Sequence, residues 1–218
     1  MKQLFPIILT LLLLPALFAD AAETELVIDD FETGLRPGWA EKVLAGRTDY
    51  RVVRNETGQV LKAESRGAAS ALIFERKIDL AEYPNLCWRW KVDNIVAKGD
   101  ARKKEGDDYA ARLYVIFPHW FFPKTRTINY IWGNKLPPGA VVPNPFTSNA
   151  MMVAVESGKE NIGQWRSECR NVSADYRAAF GDDAPPAGAV AIMTDTDNTG
   201  GAAAAWYDDI RFRKVQDR

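Results

Sequence analysis

Two short acidic-aromatic segments bracket this chain. Ile28-Asp29-Asp30-Phe31-Glu32 stands near the start and Trp206-Tyr207-Asp208-Asp209-Ile210-Arg211-Phe212 near the end. Each sets apolar side chains beside carboxylates in a run of strand length. A fold that pairs its first strand with its last brings these carboxylates together, which points to a sandwich closed by its terminal strands. Calcium takes roughly six to eight oxygen ligands, so Asp30, Glu32 and Asp209 at such a seam are candidate ligands for a structural calcium.

Between the brackets run short strand-like stretches separated by turn residues, at 26–31, 50–54, 59–63, 69–74, 86–92, 109–117, 128–132, 151–156, 164–171, 189–194 and 204–212. Leu86, Trp88, Trp90 and Val92 alternate with Cys87, Arg89 and Lys91, the period-two pattern of a half-buried strand. Leu113, Val115 and Phe117 oppose Arg112, Tyr114 and Ile116 in the same way. Asn55-Glu56-Thr57-Gly58 links two stretches as a hairpin turn. The series predicts an all-β fold, a two-sheet jelly-roll-like β-sandwich. One short helix is expected near residues 173–181, with Ser173 as N-cap, Asp175 in its first turn, Gly181 just past its end, and Tyr176 and Phe180 on one face.

Residues 1–22 read as a secretory signal peptide. Lys2 precedes an apolar run from Leu4 to Phe18, and Ala19-Asp20-Ala21 offers small residues for cleavage near Ala21–Ala22. The run falls short of the ~20 residues of a membrane span, and Pro15 cuts it. No later segment is long and apolar enough to span a bilayer. The expected product is a single β-sandwich domain, residues 23–218, in the periplasm or outside the cell. Lys and Arg total 28 against 29 Asp and Glu, a balance with no electrostatic footprint for nucleic acid or an anionic membrane. Cys87 and Cys169 are the only cysteines. An oxidising compartment permits a bridge between them, buried free thiols are also common in strands, and spacing leaves the choice to geometry.

Several constellations are candidates for chemistry. Thr194-Asp195-Thr196-Asp197-Asn198-Thr199-Gly200 resembles the front half of an EF-hand loop, but Trp206 stands where the bidentate Glu belongs. That excludes an EF-hand. It leaves Asp195 and Asp197 as candidate calcium ligands, or as an Asx-rich turn that satisfies its own backbone. Charges inside strands form another group: Arg89, Asp108, Arg112 and Asn129, with Trp132 as an aromatic platform. Sugar rings present apolar faces and hydroxyl edges, and this mixture of groups matches both. The alternative is a solvated outer face whose ion pairs are worth little. Pro118-His119-Trp120-Phe121-Phe122-Pro123 holds the only His. A lone His builds no His-based zinc site, and no nucleophile elbow accompanies it. Its aromatic tip suits a ligand, partner or membrane surface if exposed, and otherwise folds back on the core. Asp107 and Asp108 point to opposite faces of a strand, so a two-carboxylate glycosidase site would need another acid, for which Glu168 is the candidate.

Leu86-Cys87-Trp88-Arg89-Trp90-Lys91-Val92 and Gly106-Asp107-Asp108-Tyr109-Ala110-Ala111-Arg112-Leu113-Tyr114-Val115 resemble the core of an uncharacterised family, domain of unknown function 3047. The resemblance continues through Ile128-Asn129-Tyr130-Ile131-Trp132-Gly133, Asn144-Pro145-Phe146-Thr147-Ser148-Asn149, the Met193–Gly200 stretch and Ala205-Trp206-Tyr207-Asp208-Asp209-Ile210. It covers nearly all of residues 23–218. It implies an exported bacterial protein and supplies no catalytic residue. More loosely, Asp30-Phe31-Glu32 and Asp208-Asp209-Ile210 are similar to the opening and closing strands of jelly-roll carbohydrate-binding modules, several of which hold a structural calcium between them.

The expected function is non-catalytic binding of a glycan or similar polar ligand on a sheet face, at Arg89, Asp108, Arg112, Asn129 and Trp132. A structural calcium is the expected cofactor, with Asp30, Glu32, Asp195, Asp197 and Asp209 as candidate ligands. The alternatives are a polysaccharide hydrolase or lyase using Asp108 or Glu168 as acid/base, and a structural envelope protein whose aromatic loop holds a protein partner.

Overall fold

The computed structural model describes residues 24–56 and 58–215, so the expected signal peptide lies outside the described residues. The strands in chain order are β1 (Glu25–Asp29), β2 (Trp39–Ala45), β3 (Asp49–Arg54), β4 (Gln59–Arg66), β5 (Ala69–Ile78) and β6 (Asn85–Val92). There follow β7 (Tyr109–Phe117), β8 (Arg126–Gly133), β9 (Val141–Asn144), β10 (Thr147–Ser157) and β11 (Arg166–Asn171). Helix α1 (Val172–Phe180) precedes β12 (Ala187–Asp195) and β13 (Ala202–Arg213). A six-stranded sheet has the order β11-β6-β13-β4-β3, with β1 also on β13; a seven-stranded sheet has the order β2-β5-β12-β7-β8-β10-β9. All neighbours are antiparallel except β8 and β10, which run parallel. This is the expected two-sheet, jelly-roll-like β-sandwich.

The alternation read from the sequence places the core. Leu86, Trp88, Trp90 and Val92 of β6 meet Leu113, Val115 and Phe117 of β7 between the sheets, and Ile128, Tyr130 and Trp132 of β8 join them. Trp88 lies 5.2 Å from Tyr130, and Trp90 lies 5.9 Å from Trp132. Large aromatic rings facing each other across the layers bury far more apolar area than aliphatic pairs would.

The terminal strands pair as the bracket predicts, with Leu26 opposite Phe212 and Val27 opposite Arg211. Strand β13 lies along β6 with a bulge between Asp208 and Arg211. On its other edge it pairs with β4 up to Tyr207 and with β1 from Ile210. Asp209 sits at this change of partner with φ +53°, and Phe31 across the seam has φ +57°. Asp tolerates this left-handed region better than a bulky residue does. The ends of the described residues meet here as well: the Lys214 N–H donates to Thr24 O at 3.1 Å.

The structure differs from expectation in three details. Asn171, rather than Ser173, caps α1, its Oδ1 accepting from the Ala174 N–H at 2.9 Å. Asn is at least as good an N-cap as Ser, and the Ser173 hydroxyl instead faces Leu80 O. Gly181 ends the helix in the left-handed region as expected. Strands β2 and β9 were not foreseen. Both border the seven-stranded sheet: β2 is mostly exposed and carries Glu41 and Lys42, and β9 contains Pro143. Such features mark sheet edges and blur the alternation.

Candidate functional site

The site begins at a fault in the β12–β7 ladder. The register slips between Met193 and Asp195, where Met193 faces Arg112 and Asp195 faces Tyr109. Thr194 follows Val190 and Ile192 on the inward face of β12, and its hydroxyl donates to Ala110 O at 2.7 Å. Tyr207 reaches across the core from β13 to hold the fault. Its hydroxyl donates to Met193 O at 2.9 Å, contacts Thr194 Oγ1 at 2.9 Å and accepts from the Arg112 N–H at 3.3 Å. Asp195 and Arg112 are left together on the outer face of the seven-stranded sheet.

Their pairing is bidentate. Arg112 Nε donates to Asp195 Oδ1 at 2.7 Å, and Nη2 contacts Asp195 Oδ2 and donates to Asp107 O at 2.9 Å. Both side chains are buried although they lie outside the sandwich core. Flanking segments cover this face. Ala101, Leu136, Ala140 and Val142 pack on Ile131, Met152 and Ala154 to one side, and Ala45 packs with Ala69, Ala71 and Met193 on the other. Between the two apolar patches lies a cleft of about 530 Å³. Arg112, Asp107, Asp195, Asn129 and Tyr114 form its polar floor, with Asn144, Asp197 and Asn198 beside them and Leu44 and Phe146 as apolar lining. Burial pushes the Tyr114 phenol up, against the pull of Arg112, so it enters the cleft as a neutral hydroxyl. Asn129 Nδ2 faces Met152 Sδ at 3.3 Å, while its Oδ1 has no hydrogen-bond partner among the described residues.

Of the five expected ligand residues, the structure brings Arg112 and Asn129 together in this cleft. Asp108 lies just behind it, fully buried, its carboxylate accepting from the Asn198 and Thr199 N–H groups at 3.1 and 2.7 Å. It staples the 197–199 turn and does not line the cleft. Trp132 does not join them because its strand face points between the sheets; its Nε1 donates to Gly158 O at 3.2 Å. Arg89 lies on the outer face of the other sheet, 3.4 Å from Asp208 and 3.6 Å from Asp209, over the Trp165 ring. Asp107 and Asp108 do point apart, and Asp107 is the one in the cleft. Asn144, Tyr114, Phe146 and Leu44 were missed as site residues. Tyr114 shares its strand face with Arg112, a signal that would have found it, whereas Leu44 and Asn144 arrive on the edge strands β2 and β9 and Phe146 on the turn after β9.

The acids sort into two groups. Among the described residues, Asp108, Asp195 and Asp197 have ligand atoms within 4.8 Å of one another, an arrangement that could hold a metal ion. Asp195 already holds Arg112 and Asp108 already holds two amides, so Asp197 brings the uncommitted carboxylate. At the seam the acids are engaged elsewhere. Asp30 accepts from the Glu32 N–H, Glu32 accepts from the Gln59 N–H, and Asp209 contacts Arg211 and Arg89. Asp208 is pushed up to about 6 by burial and by Asp209, against the pull of Arg89.

Cys87 and Cys169 face each other across β6 and β11 and form a disulfide. Glu168, next to it on β11, is pushed up to about 7 by burial and by Glu156. It borders a separate cavity of about 290 Å³ over the disulfide and shares no cleft with Asp108. The His119–Phe122 tip stays outside the core. Trp120 is 92% and Phe122 74% exposed, and the turn is pinned by the Phe121 N–H to His119 Nδ1 at 3.0 Å and Asn149 Nδ2 to Pro123 O at 2.7 Å.

Fold and cleft define an all-β protein with a polar groove on one outer sheet face. The chain belongs to the family described as protein of unknown function (DUF3047), whose profile matches residues 37–211. No curated protein matches it. Among solved structures it is similar to the family 11 carbohydrate-binding module of cellulase Lic26A-Cel5E of Clostridium thermocellum. That likeness has 9% identity and a TM-score of 0.49 over 89% of this chain and 96% of the module. It is also similar to a family 28 module described as specific for non-crystalline cellulose, at 17% identity and TM-score 0.44 over 85% of this chain and 92% of that one. A third is the CBM22-1 xylan-binding domain of Paenibacillus barcinonensis Xyn10C, at 14% identity and TM-score 0.41 over 87% and 93%. At these values the likeness bears on no residue of the cleft.

Proposed function

We propose that this protein binds a glycan, without catalysis, in the cleft on the outer face of its seven-stranded sheet. The observation that carries the reading is the cleft's composition: a floor of Arg112, Asp107, Asn129 and Tyr114 beside Phe146 and Leu44. The apolar lining suits the faces of sugar rings and the floor suits their hydroxyl edges, the combination of an apolar site with a few placed polar groups that ligand pockets use. Export is part of the reading. It is supported by the disulfide, which belongs to oxidising compartments, and no helix among the described residues is long and apolar enough to cross a membrane. A glycan array followed by calorimetry tests the proposal; the absence of any glycan ligand at high protein concentration overturns it.

A structural calcium belongs at Asp108, Asp195 and Asp197 rather than at the terminal seam, since those are the carboxylates with mutually close ligand atoms. The thermal midpoint is expected to rise with calcium and fall with chelator, and Asp197→Asn is expected to erase both shifts. A midpoint indifferent to both removes the ion. The partner-protein alternative is favoured by one observation, the exposed Trp120 and Phe122 held out on a pinned turn. Loss of a native complex in Trp120→Ala, with glycan binding intact, would support it.

A further inference from the structure

We propose that the cleft selects sugars bearing a free ammonium group, deacetylated hexosamines, over acidic sugars; this deepens the glycan reading and rests on it. Three carboxylates line the cleft, Asp107, Asp195 and Asp197, against one guanidinium, Arg112. The guanidinium is committed to the floor, where Asp195 and Asp107 O take its Nε and Nη2. Asp108 adds its negative charge directly behind Asp195 and Asp197. In the metal-free protein a ligand therefore meets a surplus of negative charge in a site where burial weakens screening.

The hydrogen-bonding groups left open point the same way. Asn129 is 1% exposed and Asp107 7%, and the Oδ1 atom of each has no partner among the described residues. The other Asp107 oxygen accepts from Asn144 Nδ2 at 2.9 Å, and Arg112 Nη1 stands 3.7 Å from Oδ1, beyond hydrogen-bond reach. Both Oδ1 atoms are acceptors, and the third buried group without a hydrogen-bond partner here, the Tyr109 hydroxyl, lies beside Asp107. A buried acceptor without a donor is costly, and more so when it is charged. An ammonium brings three donors and no acceptor, whereas a hydroxyl brings one donor and a carboxylate brings none. An amino sugar offers donors toward both acceptors and neutralises part of the surplus; a uronic acid would add like charge. The cation at the rim is Lys104, 5.3 Å from the centre of the Phe146 ring and in solvent, where salt screens it.

The test is calorimetry of the purified protein with three oligosaccharides of equal length, in buffer containing chelator. The probes are a glucosamine oligomer, its N-acetylated counterpart and a galacturonate oligomer. The glucosamine oligomer is expected to bind about tenfold or more tightly than the N-acetylated one, the factor a charge-assisted hydrogen bond supplies, with the uronate weakest. Added salt is expected to compress the ratio. Asp107→Asn and, on the more accessible side, Asp197→Asn, each first checked for an intact thermal transition, are expected to lower it as well. Equal affinity for the glucosamine and N-acetylated forms, or tighter binding of the uronate, overturns the charge selection and leaves glycan binding standing. If none of the three binds, this inference fails, and the glycan reading stands or falls on the array.

Discussion

The outer faces of the two sheets carry the same kinds of side chain in different surroundings. On the six-stranded sheet, cations and indole rings alternate across the strands. Lys62 and Lys91 lie 5.4 and 4.3 Å from the Trp206 ring, and Lys91 and Arg89 lie 5.6 and 5.0 Å from Trp165. The Arg89 side chain stays 29% exposed there, with acids at 3.4 and 3.6 Å. On the seven-stranded sheet, Arg112 is 5% exposed and locked to Asp195. Both arginines stand on outward positions of alternating strands. What separates them is what covers the face. Asp107, Asp195 and the Tyr109 ring close on Arg112, while Arg89 lies against the Trp165 ring and keeps a side in solvent. Desolvation makes a charge pair strongly interacting and its loss damaging; solvent makes it nearly neutral.

Truncating each arginine is the sharpest way to break this comparison. Arg112→Ala leaves Asp195 buried without its partner and is expected to cost about 3–5 kcal/mol in urea denaturation. Arg89→Ala is expected to cost no more than about 1 kcal/mol. Equal losses would mean the covering segments do not exclude water. Next in size is the bridge on the exposed face. Replacing Cys87 and Cys169 by Ala opens a link spanning 82 residues, and the expected loss is about 2–4 kcal/mol. A smaller effect is expected at the cleft lining. Phe146→Ala should leave stability within about 0.5 kcal/mol, since the ring is largely exposed, while glycan affinity drops about tenfold, or ~1.4 kcal/mol. Unchanged affinity would move the ligand off this face.

The smallest expected effect is on pH. Asp208 and Glu168 both have carboxyls raised above their ordinary values, to about 6 and about 7, burial being the main cause in each. A raised carboxyl holds its proton more tightly in the folded chain than in the unfolded one, so its contribution is present at low pH. That contribution fades as pH rises, through the window from 3.8 to about 6 for Asp208 and from 4.5 to about 7 for Glu168. Urea midpoints measured across that range should show the decline, and Asp208→Asn should flatten its lower part. A flat stability there would show that both groups ionise as freely folded as unfolded, and a rising one that their folded values are lowered.

The sandwich was legible because period-two alternation in Leu86–Val92 and Tyr109–Phe117 needs no context. The terminal pairing was legible because Ile28–Glu32 and Trp206–Phe212 share one pattern. The site was half legible. Arg112 and Asn129 lie on outward strand positions, as alternation says, but the same rule offers Arg89 equally. Trp132 could have been excluded by its own alternation, since it shares a face with Ile128 and Tyr130. Asp195 lies outward by the alternation that turns Val190, Ile192 and Thr194 inward, but it meets Arg112 where the β12–β7 ladder slips and Tyr207 of the opposite sheet bonds. A contact of this kind has no local signature in sequence. Asn144 and Phe146 come to the cleft through chain reversals around Pro137–Pro145, whose geometry their composition does not fix.

The hydrogen bond between Lys214 and Thr24 puts both ends of the domain at one pole. Anything fused at either end of the described residues is expected to leave from the same spot. A short bridge from residue 215 to residue 24 should also permit circular permutation. New ends opened at the exposed 102–105 turn would then leave the closing strands fastened by an internal loop.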